Sequence, residues 1–143
     1  MFYFAYGSNL NHEQMKNRCP NSKFIKRARL RGYKLVYDGY SKKWEGSVAN
    51  IIPSRGDLVW GGLYEISMDD RDALDHYEGY PKSYDRKEFE VKDDLDKSYI
   101  AYIYFREGKQ LGQPSAKYCD VIKIGAKDCG LPQDYMTSIL PQL

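Results

Sequence analysis

Apolar residues follow two different periods along the chain, and together they predict an α+β fold. Short runs rich in aromatic and β-branched residues are typical of strands, and they span Phe2–Tyr6, Phe24–Tyr37, Val48–Ile52, Leu58–Ile66, Tyr84–Val91 and Tyr99–Phe105. Gly32 is the expected irregular point of the second run, and Pro53–Gly56 predicts a turn between the third and fourth. Mostly consecutive hairpins favour an antiparallel or mixed sheet that curls into a small β-barrel with helices packed outside.

Helix signals follow the first and fourth strands. Asn11 predicts the start of a short helix that ends at about Arg18, with Gln14 as its capping-box partner. Ser67, with an acidic residue three positions later, predicts a second helix that ends at Gly79.

The C-terminal third of the chain changes to helical spacing. Apolar and small residues from Tyr118 to Cys129 recur at this spacing, and Gly130 predicts the end of the helix. Pro132–Leu140 predicts a short final helix. No repeat, low-complexity tract or linker divides the sequence, so we expect residues 1–143 to form a single domain.

Composition predicts a soluble, cytoplasmic domain. The chain has 143 residues, of which 42% are hydrophobic, and a formal net charge of +2. This charge is too small to indicate a nucleic-acid partner, and no apolar run is long enough to span a membrane or has the pattern of an export signal. Three cysteines without a Cys-x-x-Cys spacing are typical of reduced thiols. The 14 tyrosines suit a pocket lined with hydroxyl groups.

The segment that connects the first strand to the first helix has the composition of an anion-binding loop. Gly7, Ser8 and Asn9 tolerate unusual backbone angles. The first amides of the helix that follows have no partner inside it. This arrangement predicts a seat for a phosphate or a carboxylate.

Glu78 departs from the usual charge pattern of a helix. It is the last residue before Gly79, where the helix carbonyls present partial negative charge, and Asp75 lies one turn back. Both features should raise the pKa of its carboxyl group, as a general acid/base near neutral pH requires. The same position also fits a solvated glutamate without a role.

Several motifs resemble those of the γ-glutamylcyclotransferase (AIG2-like) family, in particular its vertebrate members. They are Phe4-Ala-Tyr-Gly-Ser-Asn-Leu10, Glu78-Gly79 after an acidic-capped helix, Gly56-Asp-Leu-Val-Trp-Gly61, Lys117-Tyr118 and Ile124-Gly-Ala-Lys-Asp-Cys-Gly-Leu-Pro132. These motifs are spread over nearly the whole chain. The resemblance implies a small β-barrel flanked by helices.

The resemblance also implies a reaction and the residues that perform it. A γ-glutamyl compound would be cyclised to 5-oxoproline with release of an amine or amino acid, and no metal or cofactor would be needed. Glu78 would be the general acid/base. The residues expected to bind the γ-glutamyl substrate are Tyr6, Gly7, Ser8, Asn9, Leu10, Tyr84 and Tyr118.

The substrate within this class stays open. Tyr80-Pro81 and the loop from Ser41 to Glu45 differ from the vertebrate pattern, so a γ-glutamyl amino acid and γ-glutamyl-lysine are both compatible with the motifs. A barrel that binds such a ligand without turnover is a further alternative. Whether the chain forms a homodimer also stays open.

Two other catalytic readings rest on the histidines. Ser8 could be a nucleophile with His12 or His76 as its base, although the surrounding residues lack the Gly-x-Ser-x-Gly pattern. The sequence His76-Tyr77-Glu78 is similar to part of a zinc deaminase motif, but the Pro-Cys-x-x-Cys element is missing.

A binding module is the last alternative. Residues 23–34 contain six lysines and arginines without an acidic residue. In a strand, such a run usually marks an exposed face or a protected sheet edge, and weak binding to RNA or an anionic surface is the rival interpretation.

Overall fold

The computed structural model describes residues 1–141, which form five strands and four helices. In chain order these are β1 (Phe2–Ala5), a 3₁₀ turn (Ser8–Leu10), α1 (His12–Arg18), β2 (Lys23–Ser41), β3 (Gly46–Glu65), α2 (Met68–Glu78), β4 (Asp85–Lys92), β5 (Ser98–Phe105), α3 (Ala116–Asp128) and α4 (Gln133–Ile139). None of the helices in this part of the chain has both the length and the apolar character needed to cross a membrane.

The five strands close into a barrel in the order β1-β3-β2-β4-β5. Neighbouring strands are antiparallel except β1 and β5, which pair in parallel and close the barrel through Phe2 opposite Ala101 and Tyr3 opposite Tyr102. The predicted mixed β-barrel with flanking helices is confirmed.

The predicted turn at Pro53–Gly56 is wrong. The two strands predicted on either side of it, Val48–Ile52 and Leu58–Ile66, belong to the single strand β3, because each pairs with β2. The register passes from Leu58 opposite Arg31 to Pro53 opposite Tyr33, so residues 54–57 bulge out against one residue, Gly32. Gly32 has a φ of 85°, which glycine adopts without a side-chain penalty. The irregularity predicted at Gly32 is therefore confirmed. The residues predicted to form a hairpin turn form the bulge opposite it.

Strand β1 is buried on both faces and separates two cores. Phe4 packs inside the barrel with Leu63 and Ile103, whereas Tyr3 and Ala5 face a second cluster formed with α1 and α2. Alternate side chains of a strand point to opposite faces, which explains why this short aromatic segment shows no polar positions.

Helix α2 has both of its predicted ends. The Ser67 hydroxyl accepts a hydrogen bond from the Asp70 amide at 3.1 Å, and the Asp70 carboxylate accepts one from the Ser67 amide at 3.0 Å. Gly79 follows the helix in the left-handed conformation, with a φ of 64°. Glu78 is therefore the last helical residue, as predicted.

Acidic residues that follow β4 balance the basic run of β2. Lys26 pairs with Asp93 at 3.2 Å and Arg27 with Asp94 at 3.0 Å. The side chains of Arg29 and Asp96 also form an ion pair. These contacts across β2 and the β4–β5 loop give the basic run intramolecular partners, which the sequence pattern alone did not indicate.

Candidate active site

A cavity of about 570 Å³ opens where the end of β1, the end of α2 and the N-terminal half of β3 meet. Its walls include the predicted residues Tyr6, Gly7, Ser8, Asn9, Glu78, Tyr84 and Tyr118. The polypeptide loop and the carboxyl group that the sequence singled out therefore face the same space, although about 70 residues separate them in the chain.

The loop after β1 is closed by a 3₁₀ turn. The amides of Leu10 and Asn11 donate to the carbonyls of Gly7 and Ser8, at 3.0 and 3.1 Å. The amides of Ser8 and Asn9 begin this turn and so have no partner inside it. The first amides of α1, which the sequence predicted for an anion, are instead used within the protein: the His12 amide donates to Asp128 Oδ2 and the Gln14 amide to Asn11 Oδ1, both at 3.0 Å. For the loop amides, binding of an anion stays a prediction.

Leu10 is the one predicted site residue that does not reach the cavity. Its side chain is fully buried in the barrel core. Its amide closes the turn on Gly7, and its carbonyl accepts from the Tyr64 hydroxyl at 3.4 Å. Because these groups are already used within the protein, Leu10 supports the loop. Its assignment as a substrate-binding residue stays a prediction.

Helix α1 holds the loop in place through two side chains one turn apart. Gln14 Nε2 donates to Ser8 Oγ at 2.8 Å and to Asn9 Oδ1 at 3.0 Å. Arg18 Nη1 donates to the same Asn9 oxygen at 3.1 Å. Asn11 caps α1 by accepting from the Gln14 amide at 3.0 Å, as predicted, but the Gln14 side chain does not complete the capping box. It turns toward the loop instead.

The contacts by which Gln14 and Arg18 hold the loop were not predicted from the sequence. Their spacing of four residues places both on one face of α1, directly after the glycine-rich loop. That spacing was the available signal.

Burial raises the pKa of the Glu78 carboxyl group to about 7. Arg18, Arg106 and Lys43 oppose this shift through their positive charges. The predicted direction is confirmed, but its cause is different, because desolvation in the cavity wall has replaced the helix end as the dominant effect.

The hydroxyl groups of Tyr84 and Tyr118 both form hydrogen bonds with the backbone of Ala49 in β3. The Tyr84 hydroxyl donates to the Ala49 carbonyl at 3.0 Å, and the Ala49 amide donates to the Tyr118 hydroxyl at 2.9 Å. Since the Tyr118 oxygen accepts this bond, its own proton remains available to another acceptor. An added Cβ on Gly7 would lie 3.4 Å from the Tyr118 hydroxyl, so this hydroxyl stands beside the loop.

Tyr6 is the third of the predicted tyrosines in the cavity wall, and its hydroxyl proton is already used. Its hydroxyl donates to the Tyr104 carbonyl at 2.6 Å. Burial raises the pKa of Tyr6 well above its ordinary value, and the neighbouring Tyr84 and Glu78 add to the shift. Tyr6 therefore stays neutral and ties the end of β1 to β5.

Arg106 is a cavity residue that the sequence gave no reason to select. It follows β5 immediately, and its guanidinium lies 4.5 Å from the centre of the Tyr84 ring. Its partners Asp38 and Asn50 come from β2 and β3. These three residues are brought together by the pairing of their strands. They therefore form no local motif that could be found in the sequence.

The positions of the histidines do not fit either a serine nucleophile with a histidine base or a zinc site. Ser8 Oγ accepts from Gln14, and no hydrogen bond links it to a histidine within residues 1–141. His12 instead packs against Phe24, with the ring centres 4.6 Å apart and the ring planes tilted by 44°. In the same part of the chain, no group of three or more His, Cys, Asp or Glu side chains is arranged to hold a metal ion.

Comparison with known proteins first gives the class. Residues 58–139 match the model of the AIG2-like family. Mouse γ-glutamylcyclotransferase is 35% identical over 142 residues, which cover 96% of this chain and 76% of the mouse protein. The human γ-glutamylcyclotransferase is 34% identical with the same coverage.

The three-dimensional comparison gives the same result. A solved structure of a γ-glutamyl cyclotransferase superposes with a TM-score of 0.92 and 33% identity, covering 99% of this chain and 89% of that chain. The chain belongs to the γ-glutamylcyclotransferase family.

Proposed function

We propose that this protein is a γ-glutamylcyclotransferase that converts the γ-glutamyl group of a γ-glutamyl amino acid into 5-oxoproline and releases the amino acid. One observation carries the proposal: the Glu78 carboxyl, with a pKa raised to about 7 by burial, lines the same cavity as the Gly7–Asn9 loop. An acid/base of this pKa works best near neutral pH. The names of the mouse and human relatives support the same reaction.

The reaction is an internal acyl transfer. The α-amine nitrogen of the substrate attacks its own γ-carbonyl carbon, a nitrogen–carbon bond forms, and the bond from that carbon to the leaving nitrogen breaks. The α-nitrogen begins as an ammonium group and keeps one proton in the lactam. Its other two protons end on the released amine. Holding the two reacting atoms together supplies most of the rate, because such reactions reach effective molarities of about 10⁵ M or more.

Glu78 transfers the protons. As a carboxylate it accepts a proton from the α-nitrogen, and as the neutral acid it donates this proton to the leaving nitrogen; two such cycles carry the two protons. The buried wall that raises its pKa makes both forms accessible near pH 7. Because one group serves as base and then as acid, the cavity needs one carboxyl.

The loop after β1 binds the glutamyl part. The amides of Ser8 and Asn9, which have no partner inside the 3₁₀ turn, suit its α-carboxylate or the oxyanion that develops on the γ-carbonyl. Arg18 adds a positive charge next to Asn9. The carboxamide of Gln14 keeps the loop in the conformation that presents these amides.

The Tyr84 and Tyr118 side chains complete the substrate site. Tyr118 stands beside Gly7 with a hydroxyl proton to donate, which suits an oxygen of the folded glutamyl chain. Tyr84 lies between Arg106 and Ala49 and so faces the rest of the substrate. Both hydroxyls stay neutral, because burial raises the pKa of each above its ordinary value.

We infer a cytoplasmic location and a single functional domain from the same features. Cys19, Cys119 and Cys129 are free and buried, which agrees with a reducing compartment. Every residue assigned here comes from one barrel, so no second domain is needed for the chemistry.

Product analysis tests the proposal. We expect the purified protein to form 5-oxoproline from γ-glutamyl-alanine, and γ-glutamyl-lysine linked through its side-chain amine serves as the alternative substrate. Glu78→Gln should lower kcat by about 10²- to 10⁴-fold, the usual contribution of a general acid/base. Glu88→Gln, an exposed change on β4, is the matched control and should behave as the wild type. Wild-type product levels from Glu78→Gln would contradict the assignment.

A further inference from the structure

The walls of the active-site cavity are strongly cationic. Five lysine and arginine side chains contribute to them, namely Arg18, Lys43, Lys82, Arg106 and Lys109. Within residues 1–141, Glu78 is the one acidic residue among the lining side chains. The chain as a whole carries a net charge of +2, so this excess is local. A cavity of this kind favours a ligand with more than one negative charge.

Arg106 is placed more deeply than the three lysines of the cavity. Its side chain is 9% exposed, whereas Lys43, Lys82 and Lys109 are exposed. It nevertheless lines the cavity and lies against the Tyr84 ring. Because a charge removed from water interacts more strongly with an opposite charge, a carboxylate bound here is attracted more strongly by Arg106 than by the exposed lysines.

Asp38 holds Arg106 in the cavity wall. It accepts from Arg106 Nη2, from Asn50 Nδ2 at 3.1 Å and from the Lys109 amide at 3.1 Å. Its carboxylate is fully buried and already has these three donors. Asp38 therefore fixes the position of the guanidinium.

Lys109 restores the positive charge that Asp38 neutralises. An added Cβ on Gly39 would lie 3.0 Å from Arg106 Nη2 and 3.1 Å from Lys109 Cδ, so the two side chains are neighbours. Lys109 is exposed at the cavity rim. Together with buried Asp38, the pair carries one net positive charge, which matches one carboxylate.

We propose that Arg106, assisted by Lys109, binds the carboxylate of the leaving amino acid and so selects γ-glutamyl amino acids over γ-glutamylamines. This assignment rests on the proposed function. The loop and Arg18 take the glutamyl half, and Arg106 takes the acceptor half from its place against the Tyr84 ring. A guanidinium binds a carboxylate through charge-assisted hydrogen bonds, which are stronger than those it makes to a neutral amide.

Two substrates that differ by one charge test this inference on the wild-type protein. γ-Glutamyl-alanine and γ-glutamyl-alaninamide have the same shape, and only the first carries an acceptor carboxylate. We expect kcat/KM for 5-oxoproline formation to be about ten- to a hundredfold higher for the acid, the size of a charge-assisted hydrogen bond. Equal values for the two substrates would overturn the role of Arg106 while leaving the proposed function intact. Failure to form 5-oxoproline from either would overturn both.

Variants identify the residue responsible. Arg106→Met should reduce the acid-to-amide ratio of kcat/KM to near one, and Arg106→Lys should keep an intermediate ratio because it retains the charge. Arg71→Met is the matched control: the Arg71 guanidinium also lies over a tyrosine ring, that of Tyr102, but Arg71 does not line the cavity. This variant should keep the wild-type ratio. An Arg106→Met protein that lost activity on both substrates with its ratio unchanged would show that Arg106 only supports the fold.

Discussion

Burial, and not the end of the helix, sets the chemistry of Glu78. Its position before Gly79 predicted a raised pKa, and the direction is correct. The opposing charges of Arg18, Arg106 and Lys43 would by themselves lower the pKa, yet desolvation outweighs all three. The cations favour the carboxylate form and the buried wall favours the neutral form. The result is a group that can both take up and release a proton near pH 7.

The pH dependence of the reaction should follow the protonation of Glu78. Glu78 must be a carboxylate to accept the first proton, so kcat/KM should rise as the pH increases through about 7 and level off above it. Initial rates of 5-oxoproline formation between pH 5 and pH 9 measure the profile. A rate that is constant from pH 5 to pH 8 would exclude Glu78 as the base.

The same shift should make Glu78 a source of instability at alkaline pH. The folded-state pKa of about 7 lies above the ordinary value of 4.5, so the folded protein binds a proton between these values that the unfolded chain has released. The associated stability is present below pH 4.5 and is lost as the pH rises through 7. Glu78→Gln should therefore raise Tm at pH 8 and change it little at pH 4. Thermal unfolding at both pH values measures this, and a lower Tm for the variant at pH 8 would contradict the buried carboxylate.

At the scale of elements, helix α3 sets the position of the loop after β1. Gly125 faces the backbone where the 3₁₀ turn joins α1, and an added Cβ would lie 2.3 Å from the Asn11 amide nitrogen and 2.5 Å from the Leu10 carbonyl carbon. These are backbone atoms, which cannot move aside as a flexible side chain would. The same helix brings Tyr118 to Ala49. One helix therefore fixes both the loop and one of its partner hydroxyls.

Gly125→Ala tests this close approach because two effects oppose each other. Alanine in a helix interior should stabilise by about 1 kcal/mol. The clash with the loop backbone should instead destabilise by about 1–3 kcal/mol and lower kcat/KM by displacing Ser8 and Asn9. Denaturant unfolding and the 5-oxoproline assay measure the two effects. Lys123→Ala, an exposed change on the same helix, is the control, and a Gly125→Ala protein as stable and active as this control would show that the contact does not position the loop.

At the scale of the whole molecule, the sequence predicted what local patterns encode. Period-two runs predicted the barrel strands, and capping residues such as Ser67 predicted the helix ends. The prediction of a turn at Pro53–Gly56 was wrong because a long bulge and a hairpin turn favour the same residue types. A bulge is distinguished only by which strand the flanking segments pair with, and both pair with β2.

The cavity was predictable in part for the same reason. Gly7, Ser8 and Asn9 form one contiguous motif, and Glu78 breaks a local rule, so both could be found along the chain. Arg106 and its partner Asp38 lie 68 positions apart and meet only through strand register. The acidic partners of the basic run, such as Asp93 for Lys26, were missed because they also lie across a strand pair.

The central claim is that the substrate attacks itself, and an isotope experiment tests it most directly. γ-Glutamyl-alanine labelled with ¹⁵N at the glutamyl α-amine is incubated with the protein in H₂¹⁸O, and the products are analysed by mass spectrometry. We predict 5-oxoproline that retains the ¹⁵N in its ring and contains no ¹⁸O, formed in equal amount with alanine. Free glutamate carrying ¹⁸O in its γ-carboxylate would show attack by water and would contradict the account.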